Sequence, residues 1–123
     1  MPDPRKTKGN QGEDLAAQAL EKRGYKIVAR NFRARFGEID IIATHGQTLV
    51  FVEVKTRHGQ SFGSPKGAVG RAKQQKICLA AMEYLSATGQ QSAPARFDVV
   101  AITSGKNAVE MEIIQNAFEN AFP

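Results

Sequence analysis

The chain has 123 residues, 41% of them hydrophobic and 24% charged, the size and balance of one soluble globular domain. A single cysteine, Cys78, excludes an internal disulfide and any cysteine-built zinc site, and no run approaches the ~18 apolar residues of a membrane span. The net charge of +5 is concentrated in the middle, where nine Lys/Arg between Arg30 and Lys76 meet three acids. That imbalance favours a polyanionic partner, nucleic acid first.

Residues 1–10 are polar and basic, with two prolines and a glycine, and read as a flexible arm, leaving 11–123 as a single domain. No apolar run follows the basic start, so no secretory signal is read, and the cytoplasm is the expected location. From Gln11 to Arg23 the pattern is helical, with Leu15, Ala16, Ala19 and Leu20 as its apolar stripe. Asn10 is the expected N-cap, Glu13 its capping-box partner and Gly24 the stop. Tyr25–Ala29 reads as a strand. Ile39–Ala43 and Leu49–Val54 are the strongest strand signals, joined through His45-Gly46-Gln47 into a hairpin.

Thr56–Gly67 reads as a polar loop, and Ala68–Ala87 as a long helix ended by Thr88-Gly89. Arg96–Thr103 and Ala108–Ile114 follow as strands, then a short helix from Gln115 to Ala121. Helix, three strands, helix and two strands predict an α/β fold with a mixed five-stranded sheet flanked by helices.

The chemistry sits in Gly37-Glu38-Ile39-Asp40 and, thirteen residues after Asp40, Glu53-Val54-Lys55. Glu53 and Lys55 are two apart on one strand and share a face. Alternation on the hairpin expects Asp40, with Glu38 and Ile42, to face the same way, opposite Ile39 and Ile41. Two carboxylates and an ammonium among apolar neighbours are costly to desolvate, which argues against a packing role. Hard oxygen ligands suit Mg²⁺ or Mn²⁺, and the Val54 carbonyl is a candidate third ligand. Lys55 suits orienting a water and offsetting phosphate charge. The chemistry expected is phosphodiester hydrolysis. The bland alternative is an ordinary Glu–Lys pair on an exposed sheet face.

Several other residues carry more than one reading. Glu13 either leans over the sheet, where it would complete the metal shell through a water, or merely caps its helix. Lys73 lines up with Val69, Ile77, Ala80 and Tyr84, and either snorkels to water or serves the polar centre, with Gln74 beside it. Glu38 is a ligand, an ion-pair partner of Arg33 or Arg35, or a solvated charge. Arg33, Arg35, Arg57, Lys66, Arg71 and Lys76 are the candidate nucleic-acid contacts. His45 and His58 read as loop residues. Tyr25, Phe32, Phe36, Phe51, Phe97 and Phe118 read as core, and Phe62 as a candidate base-stacking residue.

Gly12-Glu13, Gly37-Glu38-Ile39-Asp40, Phe51-Val52-Glu53-Val54-Lys55-Thr56-Arg57, Arg96-Phe97-Asp98-Val99-Val100 and Asn116-Ala117-Phe118 resemble the bacterial YraN-type uncharacterised protein family. That family is similar in fold to archaeal Holliday-junction resolvases and the wider PD-(D/E)xK nucleases. The resemblance covers roughly residues 9–118. It implies a restriction-endonuclease-like fold and a site of Glu13, Asp40, Glu53 and Lys55, with Lys73 and Gln74 as helix-borne supports. One position departs: where the family often has a His, this chain has Ile113.

A Mg²⁺- or Mn²⁺-dependent endonuclease acting on branched or damaged DNA is the first expectation. A resolvase-like action, with paired cuts, would require a homodimer. The alternatives are a non-catalytic nucleic-acid-binding module and an accessory protein built on the same fold.

Overall fold

Strands rich in β-branched residues make the centre of the molecule. The computed structural model describes residues 4–58, 69–105 and 108–119, leaving aside the side chains of residues 4–10 and 58. Its sheet contains β1 (Tyr25–Arg33), β2 (Glu38–His45), β3 (Thr48–His58), β4 (Ala95–Ser104) and β5 (Val109–Ile114), ordered in space as in the chain. β3 and β4 are parallel and the other neighbours antiparallel. Helix α2 (Arg71–Ala87) is the crossover that a parallel pair requires. The order α-β-β-β-α-β-β and the mixed five-stranded sheet match the fold expected from the sequence, and are consistent with a restriction-endonuclease-like architecture.

Each face of the sheet buries one helix. Ala16, Ala17 and Leu20 of helix α1 (Pro4–Lys22) pack on Ile41, Val50, Val52, Val100 and Ile102. On the other face Ile77, Cys78, Ala81 and Tyr84 of α2 pack on Ile39, Ile42, Phe51, Phe97 and Val99. Phe51, Leu20 and Ile77 are fully buried, and each such side chain contributes about 1.5–3 kcal/mol through the area it removes from water. Small residues let α1 come close. A Cβ added at Gly12 would sit 2.9 Å from Thr56 Oγ1 on β3.

Several local expectations are corrected. α1 begins at Pro4, so the backbone of residues 4–10, expected as an arm, is helical, and Asn10 is an interior residue rather than the N-cap. Proline is tolerated in a first turn, and Arg, Lys and Gln favour helix, which explains the early start. The buried stripe is Ala16, Ala17 and Leu20, while Leu15 is exposed and Ala19 half-buried. α2 starts at Arg71, after the buried Val69; Ala68 lies outside the described residues.

The expected helix over 115–121 does not form across 115–119. Asn116 takes φ 52°, its N–H donates to Asp98 Oδ1, and the Ala117 N–H donates to the Phe97 carbonyl. Side-chain and sheet partners thus replace the helical ladder. His45 ends β2, and His58 ends β3, rather than lying in loops. Phe36 is exposed because it falls in the β1–β2 turn, where Ala34 N–H bonds the Gly37 carbonyl, and not on the sheet.

Candidate active site

The β2–β3 hairpin carries the site, and its geometry departs from simple alternation. Ile39 and Ile42 both pack on the α2 side, while Ile41 packs on the α1 side. The alternation therefore slips at Asp40, correcting the expectation that Ile39 and Ile41 share a face. The ladder with β3 runs from His45–Thr48 to Ile41–Val52, and beyond it the Val54 N–H donates to Asp40 Oδ2 at 2.8 Å. That N–H lies in the sheet plane. The Asp40 carboxylate thus fills the gap between the strands. N–H and C=O of one strand residue point the same way, so the Val54 carbonyl is directed to the Asp40 side as well.

Glu53 alternates with Phe51 onto the α2 face, and its side chain is 11% exposed. Burial raises its pKa to about 7, with the Asp40 charge adding to the rise and Lys73 and Lys55 opposing it. Asp40 is raised too, first by burial, with the Val54 N–H and Lys73 pulling it back. Lys73 Nζ lies 3.8 Å from Glu53 Oε1, and the side chain remains 46% exposed. The ammonium thus meets both water and Glu53. Lys55 shares the strand face of Glu53 and is exposed.

Glu13 sits well inside α1, which removes the capping reading. Burial and then the Asp40 charge raise its pKa, while Arg30 and Asn31 lower it. Its Oε1 is buried without a hydrogen-bond partner, and Arg30 Nη2 stands 3.6 Å away. Asp40 is therefore felt from both layers, by Glu13 on the α1 side and by Glu53 and Lys73 on the α2 side.

Among the described residues, no group of three or more His, Cys, Asp and Glu could hold a metal ion. The side chains that could serve as donors are the pair Asp40 and Glu53, with the Val54 carbonyl directed to the Asp40 side. Such a set fits Mg²⁺ or Mn²⁺, which keep several waters and use one or two carboxylates; it does not fit a caged zinc or calcium.

The remaining expected residues are placed as follows. Gln74 donates its amide to the Val69 carbonyl, fixing the approach to α2. Glu38 is exposed and lies 3.7 Å from Arg33 Nε, the ion-pair reading. Arg33 is the most exposed of the paired arginines, and the Arg35 N–H bonds Glu83 on α2. Arg57 is half-buried on β3, and Arg71 and Lys76 are exposed on α2. Lys66 and Phe62 lie outside the described residues. Two hollows of about 330 Å³ lie away from the carboxylates, one between α2 and residues 116–119 and one at the β1–β2 turn.

The sequence reading missed two features. Asn31 and Arg30 approach Glu13, signalled only by an Asn within a strand. A second polar cluster surrounds the fully buried Asp98, which accepts from Tyr25 Oη at 2.7 Å, from Arg96 Nε at 2.9 Å and from the Asn116 N–H. Tyr25 stacks on His45, whose Nδ1 lies 3.0 Å from Arg96 Nη2. Burial, then the bond to Asp98, raises the Tyr25 pKa. Among the described residues, no buried side-chain nitrogen or oxygen of this cluster lacks a hydrogen-bond partner.

The chain matches the family model "Uncharacterised protein family UPF0102" over residues 12–102. It is 50% identical to a UPF0102 protein of Desulfosudis oleivorans over 97% of this chain and 95% of that one. It is 50% identical to one from Geobacter metallireducens, covering 95% and 96%. A Rhodococcus jostii relative is 50% identical, covering 89% and 94%.

Proposed function

The chain belongs to the uncharacterised protein family UPF0102, and from its site we propose a divalent-metal-dependent endonuclease that hydrolyses DNA phosphodiester bonds, with branched or damaged DNA as substrate. The observation that carries this reading is the Asp40–Glu53 pair. Burial raises the pKa of both carboxylates across a strand gap, and the Asp40 charge raises that of Glu53 further. A divalent cation between them would offset that cost.

Asp40, Glu53 and the Val54 carbonyl would hold Mg²⁺ or Mn²⁺. The ion would supply a Lewis acid and lower the pKa of a bound water. Lys55, exposed on the Glu53 face, would orient the attacking water and offset charge on the phosphate. Lys73 would neutralise Glu53 before substrate arrives. Arg71 and Lys73 lie in the first turn of α2, which has no acid there and no capping side chain. The helix dipole opposes cations at that end, so a phosphate backbone would relieve both. Arg33, Arg35, Arg57, Lys66 and Lys76 would extend the electrostatic footprint.

The test is cleavage of plasmid and four-way-junction DNA with Mn²⁺, comparing wild type with Asp40→Ala, Glu53→Ala and Lys55→Ala. Loss in each variant supports the reading, and equal activity in all four proteins refutes it. A second reading, a non-catalytic nucleic-acid-binding module, is favoured because no group of three or more His, Cys, Asp and Glu among the described residues could hold a metal ion. It predicts salt-dependent binding that persists in EDTA and no cleavage by the wild type.

A further inference from the structure

Glu13 presents a physical problem that the reaction scheme leaves unsolved. Its side chain is 13% exposed, its Oε1 is buried without a hydrogen-bond partner, and Asp40 repels it. Something must hold the carboxylate in place. The two side chains that approach it are consecutive, Arg30 and Asn31 on β1. In a regular strand, consecutive side chains point to opposite faces, so both could not reach one carboxylate. Here Asn31 has φ 55°, a conformation that residues with a Cβ avoid and Asn tolerates best. The β1–β2 register pairs Arg30 with Ile41 and Phe32 with Ile39, so the skipped rung places Asn31 opposite Asp40. Strand strain and the slip in alternation thus meet at the same point. Strain of this kind persists where the surroundings enforce it, most often at functional sites.

We propose that Arg30 and Asn31 are positioning residues: the left-handed step at Asn31 brings both side chains onto the Glu13 carboxylate and fixes it at the α1 side of the Asp40 gap. This rests on the nuclease reading above. The Arg30 guanidinium bridges to Asp14 at 2.8 Å and to Glu13 at 3.6 Å, so Asp14 anchors the arginine from the solvent side. Glu13, held in this way, acts on the cation site from outside the ligand shell. Groups at that remove orient ligands and waters, and their loss costs about 10–100-fold in metal affinity or activity.

The test exploits the backbone of residue 31. Asn31→Gly keeps the left-handed step and removes only the amide, so a merely structural Asn predicts a variant as good as wild type or better. Full-length wild type, Asn31→Gly, Arg30→Met and Arg30→Lys are compared in three measurements: Mn²⁺ binding by paramagnetic resonance, single-turnover cleavage across DNA concentrations, and thermal midpoint. Positioning predicts for Asn31→Gly an undiminished midpoint, Mn²⁺ affinity lowered about tenfold, a similar fall in the maximal cleavage rate and an unchanged KM for DNA. Arg30→Met should lose as much, and Arg30→Lys should recover most of it. Wild-type Mn²⁺ affinity and cleavage in Asn31→Gly would overturn the proposal. A wild-type protein that neither binds Mn²⁺ nor cuts DNA would overturn the nuclease reading instead.

Discussion

Replacing Glu53 with Gln should stabilise the protein at alkaline pH while destroying its proposed activity. Burial and the Asp40 charge lift the Glu53 pKa from 4.5 to about 7. The folded state therefore holds this proton more tightly than the unfolded chain does. Its contribution to stability is complete below pH 4.5 and is lost as the pH rises to about 7. At 1.36 kcal/mol per pKa unit, a shift of this size costs the wild type about 3 kcal/mol by pH 8. Gln carries no such proton, so the variant should gain about that amount over wild type at pH 8, and little at pH 4.5.

The assay is urea denaturation in EDTA at several pH values, plotting the difference between the two proteins so that titrating groups remote from the Asp40–Glu53 pair cancel. Repeating it with Mn²⁺ should stabilise the wild type, by about 2.7 kcal/mol at a hundredfold excess over Kd, and leave Glu53→Gln nearly unmoved. A difference that stays flat from pH 4.5 to pH 8 would refute the claim that the pair is held under electrostatic strain.

Three further outcomes are expected. Gly12→Ala should lower stability by about 1 kcal/mol, because its methyl meets Thr56 Oγ1 at 2.9 Å and the crowding outweighs the gain in helix propensity. In a Thr56→Ala background the same change should become neutral or favourable, as thermal melts would show. Asp98→Ala should cost about 3–5 kcal/mol in urea unfolding, since it leaves Arg96 and Tyr25 without their buried acceptor. Arg71→Ala and Lys76→Ala should each reduce the salt slope of DNA binding by about 1, measured by fluorescence anisotropy against ionic strength.

The architecture was legible because its signals are local. Runs such as Ile39–Ala43 and Leu49–Val54 permit little but strand, and the site spacing follows from two-residue periodicity. Glu53 and Lys55 were readable on that ground alone. Asp40 was readable as a neighbour but not as an in-plane group, because the slip that turns it depends on Asn31 across the sheet and on the Val54 N–H. Helix limits failed where tertiary partners outbid local preference. The tail at 115–119 looks helical until Asp98 takes the Asn116 N–H. Glu13 reads as a cap only if the helix starts at Gln11, seven residues after its beginning at Pro4.

The polar clamp around Asp98 has a consequence for biosynthesis. It ties Tyr25, near the start of the sheet, to Gln115 and Asn116, which are made some ninety residues later. A nascent chain must release residues 115–116 from the ribosome before this knot can close. Until then the buried acid keeps part of its hydrogen-bonding capacity open. Native closure is therefore a late event, and a polypeptide halted short of Gln115 would expose this defect to quality-control proteases.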